Sequence, residues 1–544
     1  MRLIKMPNND NQVISGKPET LFPNSLFRNK EDGIKLALED QLCRDFQLPW
    51  SDEEEEQEGL VTQRPKITTV VFDEIKALYT LAIPMILSGL LNYSKAAISM
   101  FFMGKLGKSA LAGGSLAIGV ANITGYSFIS GLATGMDGIA SQAFGARNGC
   151  LLSHTLQRTI VLLLILCMPV TLLWYNFESV LIHSGQNPSI SSIAIAYLRF
   201  SIPTLLFQSL IHPIKIYLRS QKVTSPFTLS TAFSLAVHIP ANYVAVYCLD
   251  LGLEGIALAG CLADFNIMMS LLVYLFFSGH LTVNSLWFWR DCASFRHYED
   301  WSPIFSLALP SCASVCLEWW WYEIMIVFSG LLVNAPEAVA TVGILIQMTA
   351  LIYQFPISLN QAVSTRVGNE LGADRPKQAL MASVVALACA IFTGIVAMSF
   401  MIGMRNVWGG MFTSDQAIIS LVASVLPVVG LCELGNCPQT TVCGVLRGCA
   451  RPTLAAYINF GSFYGVGLPA ALVLGFGLEL GLLGLWLGLL AAQMVCFGIM
   501  VVALLRTDWE EQANRAYVLT CSYLGEEENE TSKEEPAPPV VVVN

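Results

Sequence analysis

Glu318, Tyr322 and Glu323 stand within CLEWWWYE, residues 316–323, inside a long apolar run. In a helix Glu318 and Tyr322, four apart, share a face, whereas Glu323 is turned about 140° away from Glu318. An ionisable side chain at mid-membrane costs about 2.5–3.5 kcal/mol on insertion scales, so each one needs a reason to be there. Two carboxylates and three tryptophans within a turn and a half suit a site for a cation or an aromatic ligand. A carboxylate in apolar surroundings also suits reversible protonation near neutral pH. The bland alternative is a buried carboxyl that caps a neighbouring helix. A third acid, Glu433, lies in LCELGNCPQTT. Pro438, five residues on, is expected to interrupt its helix and free backbone groups for a site.

Other polar groups lie at similar depth. Lys95 falls in the first apolar run and has three readings: neutralising a carboxylate, attracting an anion, or snorkelling to the interface. Asp264 lies in the sixth run, where a structural hydrogen bond is as good a reading as function. His238, beside Pro240, reads first as a packed histidine. Near one end of the eighth run, Arg366 and Glu370 in RVGNELGA are four apart and placed to pair as a gate element. Arg219 and Arg447 occupy matching loops, where a gate element and a contact with lipid phosphate are equal readings.

These residues need long apolar elements to hold them. Of the 544 residues, 54% are hydrophobic and only 13% charged, with a mean hydropathy of +0.57. Soluble domains carry about 25% charged residues, so a soluble enzyme, a nucleic-acid binder and a disordered scaffold are all poor fits. Much of the net charge of −10 sits in polar tails, at Asp52 to Glu56 and Glu526 to Glu528, and reads as solvation. The fifteen cysteines scatter through apolar stretches without a CxxC pair or a histidine cluster, so neither a disulfide framework nor a metal site is expected. MRLIKMPNND lacks the apolar segment of a signal peptide, which leaves insertion to the first membrane helix. With about 20 apolar residues per span, twelve spans are predicted. They lie near 76–103, 110–137, 154–176, 190–213, 224–249, 253–278, 302–330, 336–362, 378–403, 416–440, 453–475 and 480–505.

The chain repeats itself. TLAIP at 80–84 returns as SLALP at 306–310, and FISGLATGMDGIASQAFGA at 128–146 faces FPISLNQAVSTRVGNELGA at 355–373. YLRSQKVTSP at 217–226 faces VLRGCARP at 445–452, and LDLGLEG at 249–255 faces LELGLLG at 478–484. Each half holds six helices and starts on the same side, so the halves are parallel repeats about an axis normal to the membrane. Two such lobes enclose a central cleft and can rock around it. That layout favours secondary transport over a duplicated closed bundle such as a receptor or channel. The repeat sets Glu318 against Asn92, Glu323 against Ala97 and Asp264 against Gln493, which confines the acids at the first depth to the second lobe. No GxxxxGK[ST] loop is present, so direct ATP coupling is not expected.

The expected organisation is therefore an all-α integral membrane protein with a polar tail at 1–68 and a first lobe at 69–280. A linker follows at 281–300, then a second lobe at 301–506 and a tail at 507–544. Lys and Arg crowd one set of short loops, at Arg147, Arg158, Lys215, Arg219, Lys222, Arg290, Arg296, Arg366, Arg375, Lys377, Arg447 and Arg451. The opposite loops hold Lys105, Lys108 and Arg405, which predicts both termini in the cytoplasm. The sequons at Asn122 and Asn529 then fall in a helix and in the cytoplasm, where neither is glycosylated.

CLEWWWYE, RVGNELGA and VLRGCARP, in this order, resemble the multidrug and toxic compound extrusion (MATE) family, and the likeness covers about residues 70–505. PQTTVCGVLRGCARP and SKAAISMFFMG look most like its plant DETOXIFICATION branch. The resemblance implies an outward-opening V of two six-helix bundles that exchanges a substrate against H⁺ or Na⁺, with no enzymatic activity and no cofactor. The family's eukaryotic acidic pair in the seventh helix falls on Glu318 and Glu323, and its tenth-helix carboxylate on Glu433. Where many bacterial members carry a first-helix aspartate this chain has Ser99. Where animal members carry an eighth-helix glutamate it has Gln347. Lys95 near the cleft would also tilt preference towards anionic or neutral substrates.

The expectation is thus an H⁺-coupled efflux transporter for an organic cation, phenolic, organic acid or hormone-like solute. Its expected site comprises Glu318, Tyr322, Glu323, Glu433, Asn92, Lys95, Asp264 and Gln347, with Arg366 and Glu370 as a cytoplasmic gate. Rival readings are a Na⁺-coupled exchanger, a uniporter or channel, a lipid flippase, and a regulatory protein acting through its tails. A monomer in the plasma membrane, vacuole, Golgi or late endosome is expected, its partners being the lipid bilayer and a small solute rather than nucleic acid.

Overall fold

A computed structural model describes residues 67–183, 186–279 and 301–521. The expected N-terminal tail up to residue 66, the linker at 281–300 and the sequon at Asn529 lie outside the described residues, while residues 67 and 68 of that tail open the first helix. The first half forms α1 (Ile67–Leu106), α2 (Lys108–Gly145), α3 (Gly149–His183), α4 (Pro188–Ser220), α5 (Ser225–Cys248) and α6 (Gly252–Ser278). The second half forms α7 (Ser302–Ser329), α8 (Ala335–Gly372), α9 (Pro376–Met404), α10 (Gln416–Gly448), α11 (Pro452–Gly477) and α12 (Gly481–Leu505). Ten of these are long and apolar enough to cross a membrane by length and composition. The other two, α1 and α7, carry Lys95, Glu318 and Glu323 in their interiors. A thirteenth helix, α13 (Trp509–Cys521), lies within the segment read from sequence as a polar tail.

Local chemistry sets the helix ends. The side chains of Asn187 and Asp415 cap α4 and α10 by accepting from the backbone N–H of Ser189 and Ala417, each at 2.9 Å. Proline opens several helices, α4 and α9 among them, where its missing N–H costs nothing. Among the described residues six non-glycines have positive φ, and they fall into three pairs: Arg147 and Asp374, Lys222 and Ala450, Asp250 and Glu479. The members of each pair sit at matching corners of the two halves, so the duplication is written in strained backbone as well as in sequence.

Each half builds its own apolar core, with one exchange. The first half of α1 leaves its lobe: Leu78 is buried in the core of the second lobe, with Val71 and Ile75 packed against it. Its second half returns, with Phe102 and Met103 packed against Val246 and Ile256. The helix α7 mirrors this, placing Ile304, Leu307, Ala308, Cys312 and Cys316 in the first lobe's core but Trp321 and Met325 in the second's. On α1 the change of lobe falls near Pro84, between Ala82, which packs on Ala362, and Ser88, which bonds Thr228. On α7 it falls between Cys316 and Trp321, beyond Pro310 and beside Glu318.

Two expectations are corrected. Pro438 does not break its helix, since α10 runs unbroken through both Pro427 and Pro438. The backbone irregularities lie instead in π-helical turns of α2, α5 and α11, at Asn122–Tyr126, Val244–Cys248, Phe460–Gly467 and Val473–Gly477. Several helices also outrun their apolar runs. The first starts at Ile67 rather than near 76, its opening turns mixing Thr68, Thr69, Asp73 and Glu74 with apolar residues and so falling outside the apolar run.

Candidate functional site: two polar clusters above a sealed interface

In the second lobe α7, α8 and α10 bring Glu318, Tyr322, Tyr353 and Glu433 together. Glu318 is half-buried, with the Tyr353 hydroxyl within reach of its carboxylate. Glu318 and Glu433 lie in each other's electrostatic field, and Tyr322 feels both. Glu433 is 2% exposed, and its Oε2 accepts from Asn436 Nδ2 at 3.0 Å and from the Cys437 thiol at 3.5 Å. Arg447, one residue from the end of α10, is close enough to Glu318 to attract it. Glu323 does not join this group: its Oε2 points across the interface to within 3.9 Å of where a Cβ on Gly119 of α2 would stand. The acidic pair of the seventh helix is thus divided, one member facing its own lobe and the other facing the opposite one.

The first lobe holds a neutralised counterpart. Lys95 Nζ is 2.6 Å from Asp264 Oδ1, and Gln208 donates to Asp264 Oδ2 at 2.8 Å. The first of the three readings of Lys95, neutralising a carboxylate, is the one this geometry fits. Nearby, Ser99 Oγ is 3.0 Å from His238 Nε2, which Asn242 Nδ2 also meets at 3.0 Å. His238 Nδ1 lies 3.2 Å from the Ala259 carbonyl, so every polar atom of this 1%-exposed ring is engaged. Gln347 sits where α8 meets α1: its carbonyl accepts from the Tyr93 hydroxyl at 3.3 Å and its side-chain amide points at Met100 Sδ at 3.8 Å. Asn92 is half-buried on α1, one residue before Tyr93.

Below these clusters the lobes are sealed. Asp137 of α2 pairs with Arg219 of α4 at 2.6 Å, and both are buried. Ser364 donates to the other oxygen of Asp137 at 2.9 Å, and Arg219 Nε donates to Thr365 Oγ1 at 3.2 Å, so one ion pair ties α2 and α4 to α8. Arg219 therefore faces inward, and the reading as a lipid-phosphate contact is overturned by its burial. Glycines let the backbones touch: a Cβ on Gly145 would strike the carbonyl of Asn369, and one on Gly372 that of Gln142. Arg366 grips Glu74 of α1 with both arms of its fork, Nε to Oε1 at 2.8 Å and a terminal nitrogen to Oε2 at 2.9 Å. Arg366 also pairs with Glu370, as its spacing foretold, and Arg375 closes the chain at 3.1 Å from Glu370.

Sequence reasoning missed Asp137, Ser364, Thr365, Glu74, Gln208 and Tyr353. A signal existed for Asp137, an acid inside the longest repeated segment. Glu74 lay outside the apolar run and read as flank.

The MatE family model matches residues 84–244 and again 310–473, one copy in each half. Protein DETOXIFICATION 48 of Arabidopsis thaliana is 51% identical over 455 residues, which is 82% of this chain and 83% of that protein. Protein DETOXIFICATION 51 of the same plant is 51% identical over 449 residues, 82% and 84% of the two chains. The crystal structure of the eukaryotic MATE transporter AtDTX14 superposes with a TM-score of 0.77 at 30% identity, covering 82% of this chain and 98% of that one. An outward-facing multidrug resistance MATE family transporter shares the fold, with a TM-score of 0.71 at 18% identity, over 82% of this chain and 96% of that one. The duplicated match, the relatives and the twelve-helix, two-lobe architecture agree: the chain belongs to the MatE family of membrane transporters, which are not enzymes.

Proposed function

We propose that this transporter exports an organic cation in exchange for H⁺, with the coupling site at Glu318 and Glu433. The observation that supports this reading is the placement of two carboxylates in one another's field, with Tyr322 beside both. Two like charges held together in an apolar lobe repel, and either a bound cation or a bound proton relieves them. Substrate and proton then compete for the same relief, which is the condition for exchange rather than co-transport. Lys95 is paired with Asp264, so it offers no free positive charge to an anion, and the acids of the second lobe leave the interior favourable to a positive solute.

Protonation from the side opposite the seal displaces the cation outward, the lobes rock, and the proton leaves on the sealed side once that end has opened. The Lys and Arg distribution supports a cytoplasmic sealed end and cytoplasmic termini. One chain supplies both lobes and hence the whole pathway, so the working unit is a monomer. The membrane that houses it is plasma membrane or endomembrane.

Efflux from proteoliposomes under an imposed pH gradient tests the reading, with a panel of organic cations, phenolics and organic acids. Gradient-driven cation efflux that is lost in Glu318→Gln and in Glu433→Gln, at equal reconstitution, supports it. Efflux that follows a sodium gradient and ignores pH would replace it with the Na⁺-coupled alternative.

A further inference from the structure

The helix α13 belongs to neither lobe alone. Trp509, Ala513 and Ala516 pack into the core of the second lobe, whereas Leu519 packs against the core of the first. At its far end the carbonyl oxygen of Thr520 accepts a hydrogen bond at 3.1 Å from Asn148 Nδ2, in the corner between α2 and α3. Its start is built in: Asp508 Oδ1 accepts from the backbone N–H of Glu511 at 3.1 Å, and Glu510 and Glu511 place negative charge at the positive end of the helix dipole. The helix therefore lies across the seam where the lobes meet, formed and docked.

Its hold on the two lobes is unequal. The second lobe takes three apolar side chains, and Ala513 and Ala516 are nearly inaccessible. On the first lobe the described attachment is the half-buried Leu519 and the Asn148–Thr520 hydrogen bond, with no first-lobe counterpart of the two nearly inaccessible alanines among the described residues. An open cavity of about 570 Å³ lies beside the C-terminal half, lined by Arg147, Asn148, Asp374, Arg375, Tyr517 and Thr520.

We propose that α13 is a clasp on the sealed end, releasing the first lobe at Asn148 and Leu519 whenever that end opens while staying docked on the second. Contacts made only in the closed form favour that form by their full strength, so the clasp sets how often the sealed end opens. The release point is the weaker of the two attachments, and the helix keeps its cap and its second-lobe packing throughout. The inference rests on rocking of the lobes and is independent of the coupling ion and substrate.

Hydrogen exchange of the purified full-length protein in nanodiscs, read by mass spectrometry, tests it without substrate. Two variants are compared with the parent. Asn148→Asp keeps the oxygen that caps α3 through the Leu151 N–H but loses the donor to Thr520. The second variant is a chain ending at Asp508. Exchange across residues 136–145 and 360–372 is expected to quicken at least about fivefold in Asn148→Asp, which loses the hydrogen bond and sets a carboxylate against the Thr520 carbonyl, and further in the shortened chain. Peptides of α5, α6, α11 and α12 are expected to be unchanged. Unaltered exchange at the seal in either folded variant overturns the clasp. If the shortened chain fails to fold, Asn148→Asp decides alone: faster exchange upholds the clasp and parental exchange overturns it. A failure of pH-driven transport would leave this result untouched, so the two proposals fall separately.

Discussion

Asp137 and Ser364 are repeat counterparts, 227 residues apart, and they touch: the Ser364 hydroxyl donates to Asp137 Oδ2 at 2.9 Å. Equivalent residues of two related halves can meet only on the axis that relates them, so this contact places the pseudo-two-fold axis inside the seal. The axis is broken there by chemistry. An acid at position 364 would set two carboxylates against each other on this axis. With serine in that place, Arg219 takes Asp137, and its counterpart Arg447 is left near Glu318.

Asp137→Asn removes the charge that Arg219 was buried against, and an uncompensated buried charge costs about 3–5 kcal/mol. Ser364→Ala removes only a hydrogen bond to a charged group, about 1.5–3 kcal/mol. Thermal unfolding followed by tryptophan fluorescence should rank the two in that order. Ser364→Asp should destabilise the closed form by bringing a second carboxylate against the first, and it should do so less when Asp137 is Asn.

The glycine pair at the seal makes a steric prediction. Gly372→Ala puts a methyl group against the carbonyl of Gln142, and Gly145→Ala does the same to Asn369. Backbone cannot yield there without parting the lobes, so both variants should favour the form open at this end. Hydrogen exchange across residues 136–145 should rise in each, with α5 and α6 unchanged. Equal exchange in variant and parent would refute the contact.

Lys95 and Asp264 should behave as a unit. Lys95→Met leaves an unpaired buried carboxylate and Asp264→Leu leaves an unpaired ammonium, so each should lower folded abundance and thermal stability. The double variant should recover most of the loss, since an apolar pair replaces a buried ion pair at little cost. A double-mutant cycle on melting temperature measures the coupling, and additive losses would show that the pair carries no such role.

Arg366→Lys keeps the charge but loses the fork that reaches both oxygens of Glu74. It should cost about 1.5–3 kcal/mol, the worth of one hydrogen bond to a charged group, and loosen the first half of α1. Faster exchange in residues 68–80 of the variant, relative to α9, would register that loosening; parental exchange there would rule it out.

The helices and the duplication were legible because both are local or periodic properties: apolar runs of fixed length, and strings that recur at a fixed separation. The shared face of Glu318 and Tyr322 and the pairing of Arg366 with Glu370 follow from helix geometry alone. The crossing of α1 and α7 was not legible, because their halves look equally apolar whichever lobe they enter. Nor was the grip of Arg366 on Glu74, a contact over 292 residues between a helix interior and what looked like a flank. The helix α13 escaped for a related reason. Its two buried alanines are too small to raise the hydropathy of a segment that also holds Glu510, Glu511 and Arg515.

The exchange of helix halves also governs the order in which the chain can be completed during synthesis. The ribosome delivers α1 first, yet the core that receives Leu78 and the arginine that receives Glu74 are made roughly 300 residues later. Through that interval the opening turns of α1 wait in the membrane without their partners, while α7, when it arrives, finds its half-site in the first lobe already standing. Neither half is therefore a finished module when made. A first half expressed by itself should be cleared by quality control, and the two halves supplied as separate chains should mature only together.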